Sequence, residues 1–359
     1  MNKIYICSIM KNEEHNIENF YNSCKDADGI FILDTGSTDG SVEKARNLGI
    51  NVSTVFYSQF RYDVARNDAL KLLPQDDSNT WVISLDLDER LSENWKENFK
   101  NIEDSVTQLK YLYIWNWFSS GKPKSIYYNS RIFRLNKYIF KHATHEVLVP
   151  LNNTVENRKT INLTMSHYHS NRNKPDDLTL LELDYKENSD NKRSSYYLAR
   201  QYFYKGMWDE SIKYFIEYLN HPRSDWKEER ALAMRFVAKT LMYKGEFDKS
   251  IRWFFRALGE NLNSKDVYVE ICEVFKLKED WISMYWACKK CLEVENSFEA
   301  ITDIVEEDYK LWDYLSVSSF QLGYFEEALK YAIIASEKNP NNKRLKDNII
   351  IIEENVKKE

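Results

Sequence analysis

The stretch Trp81–Arg90, WVISLDLDER, places the carboxylates of Asp86, Asp88 and Glu89 directly after a run of apolar and small residues. The β-branched and aromatic start Trp81-Val82-Ile83 predicts a buried strand that ends in them. Carboxylates so closely spaced repel one another and are costly to desolvate. A divalent cation relieves both problems, because Mg²⁺ and Mn²⁺ bind hard oxygen donors. Mg²⁺ is commonly held by one or two carboxylates and completed by substrate phosphates. The pattern therefore predicts a metal–diphosphate site at the carboxyl end of a strand, the edge where open α/β sheets bind ligands. A strand closing in a solvated acidic turn is the competing reading.

The chain must supply elements to position such a site. Its 359 residues suffice for two domains with sizeable cores. A hydrophobic content of 43% with 30% charged residues is that of a soluble globular chain. A formal net charge of −6 argues against a nucleic-acid partner, which calls for a basic face. No apolar run approaches the ~20 residues of a membrane span. The opening MNKIYICSIMKNEE lacks the shape of a cleavable signal, so the expected location is cytoplasmic. Cys7, Cys24, Cys272, Cys288 and Cys291 are an odd number in a long chain, which disfavours a disulfide framework. Cys288-Lys-Lys-Cys291 has no second such pair and no nearby histidine, so helix packing is favoured over zinc or redox chemistry.

The N-terminal half alternates predicted strands and helices. Strands are expected at Ile4–Ile9, Ile30–Leu33, Val52–Val55 and Trp81–Ile83, and helices at His15–Lys25, Val42–Leu48 and Asp63–Leu73. Pro74 stops the third helix. The second strand runs into Asp34-Thr-Gly-Ser37-Thr-Asp-Gly-Ser41, a loop whose glycines and small polar residues let a ligand approach its backbone, with Asp39 or Ser41 as helix N-cap. Strands separated by helices of about ten residues are parallel βαβ units. Tyr111, Tyr113, Trp115 and Trp117 alternate along a further strand and share one face, favouring core packing over sugar stacking.

Four segments in order, Lys11-Asn12-Glu13-Glu14, Asp34–Ser41, Ala65-Arg66-Asn67 and Asp86-Leu87-Asp88-Glu89, resemble the motifs of family-2-like glycosyltransferases of the GT-A fold. The resemblance continues to about residue 170. Arg131-Ile-Phe-Arg134-Leu and Thr144-His145-Glu146 are similar to an "R-x-F-R … V-H-E" block of a subgroup that couples the transferase to a helical tail and includes the sublancin S-glycosyltransferase. Two departures stand out: His142-Ala143-Thr144 lacks the glycine common before that block, and His167-Tyr168-His169-Ser170 lacks a Gly-Tyr pair.

The resemblance implies a divalent metal (Mn²⁺ or Mg²⁺) and a nucleotide-sugar donor, a uridine diphosphate sugar fitting the family. It implies Asp88 as direct metal ligand, Asp86 at the ribose or metal, Asp34 at the nucleoside, and Asn12, Glu13 and Ser37 among the donor-binding residues. His167 is expected as a further metal ligand, its neutral imidazole being a suitable nitrogen donor, with His169 open as the alternative. Arg66 is expected at a phosphate oxygen, which its guanidinium geometry suits. Inverting transfer needs one base to take the acceptor's proton; Glu146, before the apolar Val147-Leu-Val149, is the candidate, with Asp63 and Glu89 as rivals.

After the polar, turn-rich Asn171–Asp177 the period changes. Tyr204-Lys-Gly206 recurs as Tyr243-Lys-Gly245, Gly323-Tyr-Phe-Glu-Glu-Ala328 is a third copy, and Asp280-Trp281 marks a degenerate one. Trp312, Leu315, Gly323, Ala328, Ala335 and Pro340 fall on the pattern of the tetratricopeptide repeat, which this half resembles. The expected architecture is an α/β GT-A domain over 1–170, a linker and bridging helix over 171–190, and an all-α tetratricopeptide-like superhelix over 191–359. Such a superhelix offers a concave surface for a peptide or protein acceptor, or for self-association into a homo-oligomer; a plain buttress is the alternative.

Three functions are then open: a metal-dependent sugar transferase acting on a peptide, protein or other large acceptor; a glycan-building transferase for lipopolysaccharide or capsule; and an adaptor whose first domain has lost activity. The Asp86/Asp88 pair and the complete Asp34–Ser41 loop speak against the third.

Overall fold

The first strand, β1 (Ile4–Met10), is apolar at successive positions because both faces of its sheet are covered. Ile4 and Ile6 enter one core with Phe20, Trp81 and Ile83, while Tyr5 and Cys7 enter another with Leu33, Val82 and Phe133. The computed structural model that shows this describes residues 2–75, 79–151, 153–168, 177–188 and 190–357. The chain divides into two compact units, Met1–Asn116 with Tyr127–Ser189 and Trp117–Ile126 with Asp190–Glu359.

In the first unit β1 is followed by α1 (Ile17–Cys24), β2 (Gly29–Asp34), α2 (Ser41–Asn47), β3 (Asn51–Thr54), α3 (Tyr62–Leu70), β4 (Trp81–Ser84) and a short β5 (Glu89–Leu91). Then come β6 (Gln108–Trp117), β7 (Pro123–Arg134), β8 (Tyr138–Lys141), β9 (Val147–Pro150), β10 (Arg158–His167) and α4 (Leu178–Glu187). The sheet runs β3-β2-β1-β4-β7-β6-β10-β5, and β8 pairs with β9 apart from it. β1 is parallel to β2 and to β4, and β2 to β3. Beyond β4 the sheet is mixed, β7 lying antiparallel to β4 and β5 antiparallel to β10. The chain leaves β1 toward β2 on one side and returns beside it as β4 on the other. That switch point opens a crevice outside the carboxyl ends of β1 and β4. The N-cap of α2 is Gly40 rather than Asp39 or Ser41, although the Asp39 carboxylate still takes the Ser41 N–H at 3.0 Å.

The second unit is built of helix pairs: α5 (Lys192–Tyr204) with α6 (Trp208–Asn220), α7 (Lys227–Tyr243) with α8 (Phe247–Glu260), and α9 (Lys265–Leu277) with α10 (Trp281–Glu293). A two-residue strand β11 (Thr302–Asp303) precedes the pair α11 (Tyr309–Gln321) and α12 (Phe325–Lys338), and α13 (Lys343–Val356) follows. Each pair turns on a residue with positive φ: Gly206 (71°), Gly245 (77°), Glu279 (54°) and Gly323 (82°). Where paired helices cross, small or slender side chains let the backbones approach. The Ser250 hydroxyl donates to the Ala238 carbonyl at 2.8 Å, and the Ser316 hydroxyl to that of Ala328 at 3.0 Å. Cys272 holds the same place opposite Met284, and Cys288 and Cys291 are buried in the same core, as packing requires. β11 pairs antiparallel with the start of β7, Thr302 opposite Ile126 and Asp303 opposite Ser125.

Candidate active site

Two loops leave the sheet at its carboxyl edge, where Met10 and Asp34 stand opposite each other. Asn12 takes a positive φ of 56°, which asparagine tolerates, and so turns its own N–H toward the neighbouring loop. That N–H donates to the Ser37 hydroxyl at 2.8 Å, and the Asn12 side-chain carbonyl accepts from Thr38 N at 2.7 Å. Glu13 N donates to the Ser41 hydroxyl at 2.7 Å. Asp34, 1% exposed, accepts from Gly36 N at 3.3 Å and Ser37 N at 3.1 Å. The loops are thereby laced into one ledge, and Asn12, Glu13, Asp34 and Ser37 are all part of it.

Across the switch point, the turn after β4 carries a string of alternating charges. Arg66, from the middle of α3, donates to both oxygens of Asp86 at 2.8 and 3.1 Å, to Ser84 Oγ at 3.3 Å, and through Nε to Glu146. Arg131, on β7, donates to Asp86 Oδ2 at 2.9 Å and to Glu89 Oε1. Glu89 also accepts from the Tyr113 hydroxyl and from Asp86 N at 2.8 Å. Desolvation acts to raise the Asp86 carboxyl, but the two guanidinium charges overcome it and hold it well below the usual carboxylate range. Burial pushes Glu89 the other way, above its ordinary value, with Arg131 opposing and Asp86 reinforcing. Arg90 ties the turn down from below, donating to the carbonyls of Leu87 and Glu89 at 2.6 and 2.7 Å and to that of Asn16 at 3.3 Å.

Asp88 is the carboxylate of this turn that the guanidinium string bypasses. Its Oδ2 stands 3.0 Å from Nε2 of His167, the last residue of β10, which β5 aligns opposite Glu89. Trp115 of β6 holds the imidazole twice: its ring stacks on it with centroids 4.6 Å apart and planes within 3°, and its carbonyl lies 3.3 Å from Nδ1. Carbonyl and carboxylate oxygens both accept: with its proton on Nδ1 the ring leaves Nε2 a lone pair toward Asp88, and with a proton on Nε2 the 3.0 Å contact is itself a hydrogen bond. Two acceptors at that spacing need a proton or a cation between them. Adjacent donors on an octahedral ion with bonds of ~2.1 Å stand ~3.0 Å apart, so the pair fits Mg²⁺ or Mn²⁺. Among the described residues no group of three or more His, Cys, Asp or Glu is placed to hold a metal. Asp88 and His167 would therefore supply two donors, leaving the remaining positions to phosphate and water.

The other expected site residues surround this pair. Arg66, expected at a phosphate oxygen, is 6% exposed, with each guanidinium nitrogen engaged by Asp86 or Glu146. Asp86, expected at the ribose or metal, is bonded to both Arg66 and Arg131. Glu89, a rival for the base, is a 1% exposed brace. Asp63 is spent on Arg61, with bonds of 3.1 Å, and on Val64 N. Glu146 does reach the site, joined to Arg66. His169 lies outside the described residues. Tyr111 and Tyr113 are core residues as expected, and Trp115 packs against the same core while stacking on His167.

The sequence reading missed Arg131 as the second clamp, and the His142–Asp184 contact. His142 has φ of 85°, and its Nδ1 meets the buried Asp184 carboxylate of α4 at 3.0 Å. The absence of a glycine from His142-Ala143-Thr144 was the available signal for that contact.

Residues 5–151 match the model of the family described as Glycosyl transferase family 2. An uncharacterised glycosyltransferase of Rickettsia typhi is 33% identical over 113 residues, which is 31% of this chain and 37% of the relative. One from Rickettsia bellii is 32% identical over 117 residues, 31% of this chain and 36% of that protein. The matching part thus spans little more than a third of these relatives. Among solved structures, MamA is 16% identical with a TM-score of 0.38, covering 45% of this chain and 86% of that one. At that score the repeat architecture rests on the helix pairs themselves.

Proposed function

We propose that the first unit transfers a sugar from a nucleotide-diphosphate donor, with a uridine diphosphate sugar as first choice, to a peptide or protein acceptor. The observation that carries this reading is the Asp88–His167 pair, whose Oδ2 and Nε2 stand 3.0 Å apart at the switch-point edge beside the laced loops. The match over residues 5–151 supports the reaction class. A divalent cation at the pair would supply positive charge to a departing diphosphate. The chain's own part is to hold the pair rigid: Trp115 fixes the imidazole, while Arg66, Arg131 and Arg90 fix the turn that presents Asp88. Glu146, oriented by Arg66, takes the acceptor's proton. The stacked helix pairs of the second unit supply surface of the kind that receives extended peptides, which favours a polypeptide over a glycan acceptor.

Calorimetric titration with UDP and Mn²⁺ tests the cation. Wild-type protein should bind UDP only when Mn²⁺ is present, and Asp88→Asn should lose that binding with an unchanged circular dichroism spectrum. Tight binding of UDP by wild-type protein in excess chelator would overturn the cation's role. Glu146→Gln should slow sugar release from the donor while donor affinity holds; undiminished turnover would place the base elsewhere.

A further inference from the structure

Phe56 is 81% exposed, more than any other aromatic among the described residues. A lone exposed apolar residue ordinarily needs no explanation, but this one has a particular place. Asp34 and Thr54 are opposite each other at the ends of β2 and β3, and Val55 N donates to the Asp34 carbonyl at 2.9 Å. The next residue is Phe56, so its ring comes out over the Asp34–Ser37 turn at the carboxyl edge of the parallel strands. The turn is shaped around it. Gly36 has φ of 98°, and a Cβ there would meet Phe56 Cε1 at 3.0 Å and Cδ1 at 3.1 Å. The ring thus lies close against the glycine, with most of its surface open to solvent. Asp34 contributes little area of its own, being buried with its carboxylate turned to Gly36 and Ser37.

We infer that Phe56 is the plate on which the base of a nucleoside diphosphate stacks, with the Asp34 carboxylate acting as the former of the turn that holds the plate's edge. The inference rests on the nucleotide-donor reading above and deepens it, moving the main nucleoside contact from Asp34 to Phe56. An open aromatic face is what a base needs: stacking is tolerant of base identity, and each base presents a π-face. The site therefore grips nucleosides in general, and selection among them falls to the polar rim of the laced loops.

The test uses the full chain with Mn²⁺ and two probes, UDP and inorganic pyrophosphate, which carries the diphosphate without a base. Phe56→Ala should weaken UDP binding by roughly five- to a hundredfold, the usual worth of one stacked base, and leave pyrophosphate binding as in wild type. Phe56→Trp should hold or tighten UDP. Because the side chain is exposed, its truncation removes no core contact, and thermal melting should confirm an unchanged fold. Equal UDP affinity in wild type and Phe56→Ala overturns the inference while leaving the donor reading intact. Wild-type protein that binds pyrophosphate as tightly as UDP also overturns it, since the base then adds nothing. Binding of neither probe by wild type sinks the donor reading and this inference with it.

Discussion

Asp86 is acidic for a reason that can be titrated. Its carboxyl is held below the ~3.9 of an unfolded aspartate. A depressed acid stabilises the fold fully above about pH 5 and loses that contribution as pH falls below 4. Asp86→Asn should therefore cost about 2–3 kcal/mol at pH 7, the price of unpairing two arginines discounted for partial exposure, and should flatten the acid limb of a melting-temperature profile between pH 3 and 6. His142 poses a second question of sign. Glycine there would relieve a left-handed backbone worth ~1–2 kcal/mol, but would strip a partner from the buried Asp184, costing ~1–3 kcal/mol. The Asp184 carboxylate would keep Ala143 N at 3.3 Å and Asn188 at 3.2 Å, both long. His142→Gly should thus come out slightly destabilised in urea unfolding, with His142→Asn milder because asparagine tolerates the backbone and still donates. At this scale the sequence pointed to the neighbourhood and left open how its charges pair. Spacing shows that Asp86, Asp88 and Glu89 crowd together. Which of them is neutralised depends on Arg131, 45 residues after Asp86 and delivered only by the antiparallel pairing of β4 with β7.

Elements were far more legible. β1, β2 and β4 announce themselves as unbroken apolar runs because they are covered on both faces, and the helices between them by length and by Pro74. The repeats were legible from glycines that only a left-handed turn explains, at 206, 245 and 323. The degenerate copy has Glu279 at φ 54° in that same place. This makes a direct prediction. Glu279→Gly should stabilise the helical unit by about 0.5–1 kcal/mol, the relief of a left-handed residue less the extra chain entropy of glycine. Scanning calorimetry that showed a lower transition temperature would mean the Glu279 side chain contributes more than its backbone costs. What the period could not show was β11, since a two-residue strand has no periodicity to read.

The helical unit carries a charge cluster of its own among the described residues. Asp266 is bonded to Arg235 at 2.9 Å. Burial pushes its carboxyl up to about 7, Arg235 opposing and Asp303 and Glu270 adding to the rise. Here the sign is reversed. Between about pH 4 and 7 the folded protein holds a proton that the unfolded chain has released, so stability falls as pH climbs through that window. Asp266→Asn, which cannot ionise, should lose less stability than wild type between pH 5 and 8 in denaturant unfolding followed by far-ultraviolet circular dichroism.

The pairing of β11 with the start of β7 also has a consequence for biosynthesis. Ser125 leaves the ribosome 178 residues ahead of Asp303, to which its hydroxyl bonds. At roughly 5–20 residues per second, translation leaves that short segment waiting about ten to thirty-five seconds for its mate. The last third of the polypeptide thus completes a contact begun in the first half, and a nascent chain released early would carry an unfinished edge.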